Sequence, residues 1–238
     1  SDLGLPLIGL GFMYPQGYFR QHISAEGWQQ EKYQHLNFNE APIHQVLSAQ
    51  GLRSIAQVTL AGRLLSIAVW QVKVGRVSIY LLDTNIEDND PTDRQLSARL
   101  YESDPELRIQ QEIVLGIGGV RVLRSLGIRP EVWHANEGHS AFLGLERARN
   151  YVQEQGLSFA EAQEVVRASS VFTTHTPVPA GHDVFNWDLM DRFFSHYWSQ
   201  LGLTREEFLD LARHDQVWGP GFSMTVLALR MAGRTNGV

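Results

Sequence analysis

Residues 130–139 read PEVWHANEGH, and residues 169–183 read SSVFTTHTPVPAGHD. In each, a short run of apolar, β-branched or aromatic residues ends in a cluster of Asn, His, Glu, Thr and Asp. Glu131 to His134 reads as a short strand, Ser140 to Gln153 as a helix, and Ser169 to Thr174 as a buried strand. Upstream, Ile109, Ile113, Ile117, Val120 and Leu123 recur at steps of three and four, which predicts a helix from about Pro105 to Leu126. Ser158 with Glu161, and Thr204 with Glu207, have the spacing of capping boxes that open helices. A last helix is expected over about Ser223 to Gly233. The order helix, strand, helix, helix, strand indicates an α/β sheet with parallel strands.

The N-terminal part has a different texture. Pro6 to Met13 reads as a buried strand punctuated by glycine, and residues 14–50 as loops with short helices. Ser54 to Leu60, Leu64 to Val74 and Val77 to Leu82 are partly alternating runs separated by Ala61-Gly62 and Gly75, the pattern of an antiparallel meander. The acidic stretch Asp83 to Asp93 reads as a solvated polar loop.

Composition narrows the function classes. The 238 residues are 43% hydrophobic and 19% charged, with a formal charge of -6 and no basic stripe to neutralise phosphates, so a dedicated nucleic-acid binder is excluded. The absence of cysteine excludes disulfides, thiolate metal sites and a thiol nucleophile. The nine histidines include no HExxH, and no metal site is expected. The apolar run Leu3 to Met13 is too short for a bilayer and is broken by Gly4, Pro6, Gly9 and Gly11. No basic region precedes it, so neither a signal peptide nor a membrane role is expected, and the cytoplasm fits. Leu115-Gly116-Ile117-Gly118-Gly119 sits inside a helical pattern with no strand before it, which favours close helix packing over a phosphate loop. Trp28, Trp70 and Trp218 read as core residues. Both chain ends look cut within structured sequence.

In open α/β sheets, ligands bind beyond the carboxyl ends of the parallel strands. Two such ends here carry polar clusters, Asn136 to His139 and His175 to Asp183. Gly138 stands beside a helix start, where it permits a tight turn, and Pro177 and Pro179 restrain the backbone of the second cluster. Asn136 has a second reading as the cap of the following helix, and Asp183 as a turn residue.

At these residues the sequence resembles the glycogen, starch and maltodextrin phosphorylase family, in its shorter bacterial and archaeal branch. The resemblance is carried by Gly17 to Gln21 with Gly27 to Gln29, by Tyr80 to Asn85, and by Leu107 to Glu112. It continues through His134 to His139, Thr173 to Asp183 and Asn236 to Val238, all in the family's order. It implies a two-domain glycosyltransferase of the GT-B type, built from two Rossmann-like domains. The chain would be a partial N-terminal, glucan-side domain over residues 1–238, with a mostly parallel sheet and the β meander. It further implies phosphorolysis of an α-1,4-glucan to glucose 1-phosphate with retained configuration. The cofactor would be pyridoxal phosphate, held by a lysine in a C-terminal domain outside this chain, so the segment alone is expected to be inactive and to bind no cofactor.

The partners implied are a glucan or maltodextrin and inorganic phosphate, in a homo-oligomeric parent enzyme. By the same resemblance His175 hydrogen-bonds the glucosyl unit, and His139, Asn136 and Glu137 shape the sugar pocket. Tyr101 to Pro105 sits where the family has a gate loop, but only Tyr101 and Asp104 match. The alternatives are a non-catalytic glucan-binding module that retains half of the fold and, less favoured, a GT-B enzyme that uses a sugar nucleotide.

Overall fold

The computed structural model describes residues 3–15, 19–32, 37–38, 40–48, 50–98, 104–178, 181–217 and 219–237. β1 (Ile8–Phe12) is followed by an exposed hairpin of β2 (Arg20–Ile23) and β3 (Gln29–Lys32). β4 (Ile43–Gln45), β5 (Ile55–Leu60), β6 (Arg63–Val74) and β7 (Val77–Asp83) complete a five-stranded sheet with β1. β1 runs parallel to β7, and the other pairs are antiparallel.

The meander forms for the reasons its pattern suggests. In β5, Ala56, Val58 and Leu60 face the core while Ile55 and Gln57 face out. The two-residue link Ala61-Gly62 has φ of 47° and 83°, the left-handed pair that matches the twist of a tight hairpin. The acidic stretch after β7, however, is not simply solvated. Asn89 is buried and brackets the Ser66 backbone, accepting from its N–H at 2.8 Å and donating to its carbonyl at 2.7 Å. Asp93 is buried against Arg63 at 2.7 Å. The segment therefore docks on β6 because its polar groups satisfy backbone that the sheet leaves open.

The helix expected over 105–126 runs as α1 (Pro105–Ile113), a π-helical turn over Val114–Gly118, and α2 (Gly119–Ser125). Its glycines serve packing: a β-carbon at Gly116 would stand 2.8 Å from the Leu143 nitrogen and from Phe142 Cβ. β8 (Trp133–Asn136), α3 (Phe142–Gln155), α4 (Phe159–Ala168) and β9 (Ser170–Thr174) then form a parallel crossover unit. Both expected capping boxes are present, at Ser158 with Glu161 and at Thr204 with Glu207.

Next come β10 (Val184–Phe185), α5 (Trp187–Phe194), α6 (Arg205–Asp210), β11 (Arg213–Gln216) and β12 (Gly219–Ser223). α7 (Met224–Met231) leads into β13 (Arg234–Gly237), which lies parallel to β9 on the side away from β8.

The fold is α/β with mixed sheets, and it departs from the expected mostly parallel sheet. Among the described residues the parallel pairings are β1–β7, β8–β9 and β9–β13, and they belong to two separate sheets. Residues 14–50 contain strands and no helix among those described. Trp28 is 75% exposed, contrary to its reading as core, whereas Trp70 is half-buried and donates to Asp83 at 2.9 Å. Trp218 lies outside the described residues. Among the described residues no helix is long and apolar enough to cross a membrane.

The core beneath the crossover is aromatic. Phe142 lies 4.7 Å from Phe194, and Phe208 lies 5.3 Å from Phe194 and 5.5 Å from Phe222, measured between ring centroids. At its margin the fully buried Glu146 is held by Arg121 at 2.8 Å, Arg149 at 2.7 Å and the Tyr197 hydroxyl at 2.7 Å. Burial opposes its ionisation, but the Arg149 and Arg121 bonds outweigh burial and hold its carboxyl below the usual range.

Replacing Glu146 by Ala leaves two arginines facing a low-dielectric margin. It should cost about 3–5 kcal/mol of unfolding free energy, read from urea denaturation at neutral pH. Because the folded-state value is depressed, the parent loses this contribution as pH falls through the acidic range, and the variant does not.

Candidate functional site

The two polar clusters meet at the carboxyl ends of β8 and β9. The ladder pairs Asn136 with Thr173 and continues one step further, where Glu137 N–H donates to the Thr173 carbonyl at 2.9 Å. β8 ends two residues later than the pattern suggested, so Asn136 is its last residue and does not cap α3. At Glu137 the chain turns with φ 67° and ψ 166°, a region that glycine occupies freely and other residues enter at a cost of about 1–3 kcal/mol.

That turn aims the Glu137 carboxylate across at the neighbouring loop. It accepts from the His175 N–H at 2.5 Å, from the Thr174 hydroxyl at 3.1 Å and from the Thr176 hydroxyl at 3.2 Å. Burial works against ionisation, but the His175, Thr174 and Thr176 donors prevail and hold the carboxyl below its usual value. The anchored His175 then places its Nε2 at 2.9 Å from the Asn136 Oδ1. Three of the expected site residues, Asn136, Glu137 and His175, are thus brought into direct contact.

His139 stands on the short 3-10 turn Gly138–Ser140 after Glu137. Burial and then Arg108 pull its imidazole below the ordinary histidine value, against the opposing effect of Asp183 and Glu137. The ring is therefore neutral at physiological pH, able to donate from one nitrogen and accept at the other. Gly138 allows this approach: a β-carbon there would stand 3.1 Å from the Thr225 nitrogen at the start of α7. His182, in the second loop, is tied to the same helix start through Thr225 at 2.8 Å.

Asp104 is placed differently. It is the N-cap of α1, accepting from the Glu106 N–H at 2.9 Å, with Pro105 at the first helical position. Tyr101, the other gate-loop match, lies outside the described residues. Among the described residues no group of three or more His, Asp or Glu side chains could hold a metal ion.

One cluster escaped the reading of the sequence. Arg108 on α1 reaches Asp183 in the second loop at 3.1 Å and Glu112, one turn along, also at 3.1 Å. The Arg108–Glu112 approach is close but poorly aligned, so neither Glu112 oxygen accepts a hydrogen bond. Two carboxyl groups share one guanidinium, and Glu112 is the buried one. Burial first, then the facing Asp183, push Glu112 well above the usual carboxylate range despite Arg108. The signal available in the sequence was Arg108 and Glu112 at i,i+4, with the polar run Gln110 to Glu112, on a helix that had to be buried.

Folding therefore binds a proton at Glu112, and stability falls as pH rises from the ordinary glutamate value toward the raised folded-state value. Glu112→Gln cannot ionise. It should match or exceed the parent's urea midpoint at alkaline pH and lack the parent's decline as pH rises from the ordinary glutamate value. An equal decline in both proteins would place the titrating group elsewhere.

No protein-family model matches the chain. Curated relatives do. Over the whole chain it is 44% identical to "Maltodextrin phosphorylase" of Thermococcus litoralis and 43% identical to "Glycogen phosphorylase" of Mycobacterium tuberculosis. It is 37% identical to "Glycogen phosphorylase" of Aquifex aeolicus. The chain spans 28%, 29% and 34% of the lengths of these three relatives. Along its entire length, then, this chain is homologous to a segment, roughly a third, of the glycogen and maltodextrin phosphorylases.

Proposed function

We propose that the chain forms the glucan-side, N-terminal part of an α-1,4-glucan phosphorylase of GT-B architecture, and that the ends of β8 and β9 contact the glucosyl unit. The observation that carries this reading is the Glu137 clamp. It fixes His175 against Asn136 at 2.9 Å, at the strand ends where open α/β sheets bind ligands. A pyranose ring presents hydroxyls that need donors and acceptors in fixed directions, and these groups are oriented before any ligand arrives. In this reading His175 hydrogen-bonds the glucosyl unit, while Asn136, Glu137 and His139 shape its pocket.

The reaction is transfer of the terminal glucosyl unit to inorganic phosphate. The C1–O bond to the next sugar breaks, a C1–O bond to phosphate forms, and the departing 4-oxygen takes a proton. The site residues of this chain serve the sugar side of that exchange. They do not fit pyridoxal phosphate, because none of them is a lysine, and the chain's two lysines, Lys32 and Lys73, are exposed on β3 and β6. The cofactor and the substrate phosphate are assigned to polypeptide beyond these residues, in a cytoplasmic homo-oligomer. The neutral form of His139 suits a hydrogen-bonding role beside a sugar, because it can both donate and accept, whereas an imidazolium can only donate.

The test is phosphorolysis of maltoheptaose by the full-length polypeptide that carries this segment, read as glucose 1-phosphate. Release is expected from that polypeptide and not from the isolated 238-residue chain. His175→Ala should lower kcat/KM by about a hundredfold, the scale of a lost positioning contact. If the full-length polypeptide gives no glucose 1-phosphate, the reading fails.

A further inference from the structure

β1 and β8 are the open edges of two different sheets, and both border one cavity. Among the described residues β1 pairs only with β7, and β8 only with β9. Each therefore has a second edge whose N–H and C=O groups meet no strand. The space between them measures about 1030 Å³. Ile8, Leu10 and Trp133 form its walls, and Leu115, Val120 and Leu143 are among the side chains beneath. At its rim Leu5 is 58% exposed, Leu7 55% and Val132 62%. An exposed apolar margin beside unpaired strand edges is a combination that proteins ordinarily cover.

The chemistry of the walls selects the occupant. Two facing ladders of backbone donors and acceptors are satisfied together only by an extended chain with both of its own edges free. A glucan would leave the leucines wet and the ladders unmatched. A second copy of this chain does not qualify either: every described strand already has at least one partner, so none has two free edges to offer. The relatives are about three times as long as the matched region, so most of such a polypeptide lies outside it.

We propose that this cavity is a socket for one apolar β-strand, supplied by phosphorylase polypeptide outside these 238 residues. The strand joins the five-stranded and three-stranded sheets into one continuous sheet. Asn136 and His139 also line the cavity, so the inserted strand forms a neighbouring wall of the sugar site and not merely a distant support. The proposal rests on the family relationship and the sheet edges. It stands or falls apart from the phosphorolysis reading, since strand binding is measured without glucan or phosphate.

The test is amide hydrogen exchange on the 238-residue chain. The probes are synthetic peptides of about 15 residues, long enough to contain one strand. They tile the part of the Thermococcus litoralis maltodextrin phosphorylase that lies outside the matched region. One peptide is expected to slow exchange by about tenfold or more in both Ile8–Phe12 and Trp133–Asn136, with β5 to β7 unchanged. Leu7→Lys with Val132→Lys, both at exposed positions, should leave β5 to β7 protected and abolish that effect. If the chain alone shows no protection in β5 to β7, the same peptides are added during refolding, and recovery with one strand peptide is expected. The proposal is overturned if no peptide protects both edges or restores folding. It is equally overturned if both edges become protected without peptide as chain concentration rises, which would make a second copy the occupant.

Discussion

The site depends on one constrained residue. Glu137 occupies a backbone region that costs a non-glycine residue about 1–3 kcal/mol, and the geometry it gains is what holds the two loops together. Without that turn its carboxylate would follow the direction of β8 out into solvent. With it, the carboxylate gathers three donors from residues 174–176, each a charge-assisted bond at 2.5 to 3.2 Å. The parallel pairing of β8 and β9 brings the loops near each other, but it leaves the direction of His175 open. The carboxylate sets that direction, and Asn136 completes it at 2.9 Å. A glycine at 137 would relax the backbone and at the same time remove the carboxylate that makes the bridge, so the strain and the bridge belong to one residue.

Electrostatic accounting is solved in opposite ways at Glu146 and at Glu112. Glu146 is buried with two arginines and a tyrosine hydroxyl, so the carboxyl stays ionised and its partners are fully used. Glu112 and Asp183 share Arg108, so one carboxyl lacks a cation of its own, and the buried member is the one whose ionisation is opposed. The first arrangement is a structural fastener. The second lies beside His139, where Arg108 contributes to keeping the imidazole neutral. Ionisation of both carboxyls would leave the cluster with a net negative charge beside that ring.

What the sequence could show followed from how local each signal was. The capping boxes at Ser158 and Thr204, the alternation of β5 and the glycine packing at 116–119 are decided within a few residues, and all were legible. The polar clusters at the two strand ends were legible as a coincidence, because ligand position in an α/β sheet follows from topology. Features that depend on distant partners were not. Asn89 looks like any loop asparagine until the backbone of Ser66 is beside it, 23 positions away. Arg108 and Asp183 are separated by 75 positions, and no spacing rule connects them. β13 was hidden because four exposed residues, Arg234 to Gly237, carry no periodic pattern. They form a strand only because β9 offers an edge.

The division into two sheets connects these points. A continuous parallel sheet would carry its ligand site along a row of strand ends, with each loop buttressed on both sides by its neighbours. Here, among the described residues, β8 is buttressed on one side alone, and Val132 and His134 are exposed. The Glu137 bridge supports the site from the β9 side, where the partner strand exists. On the β1 side the cavity leaves the Asn136 and His139 margin open to water, and water competes with every hydrogen bond that a sugar would make. Orientation is thus already built in, whereas exclusion of solvent depends on what fills the gap between the sheets. In the proposed reading, fixed side chains without a dry wall would orient a glucosyl unit but lack the low-dielectric surroundings in which such bonds distinguish a transition state from a ground state.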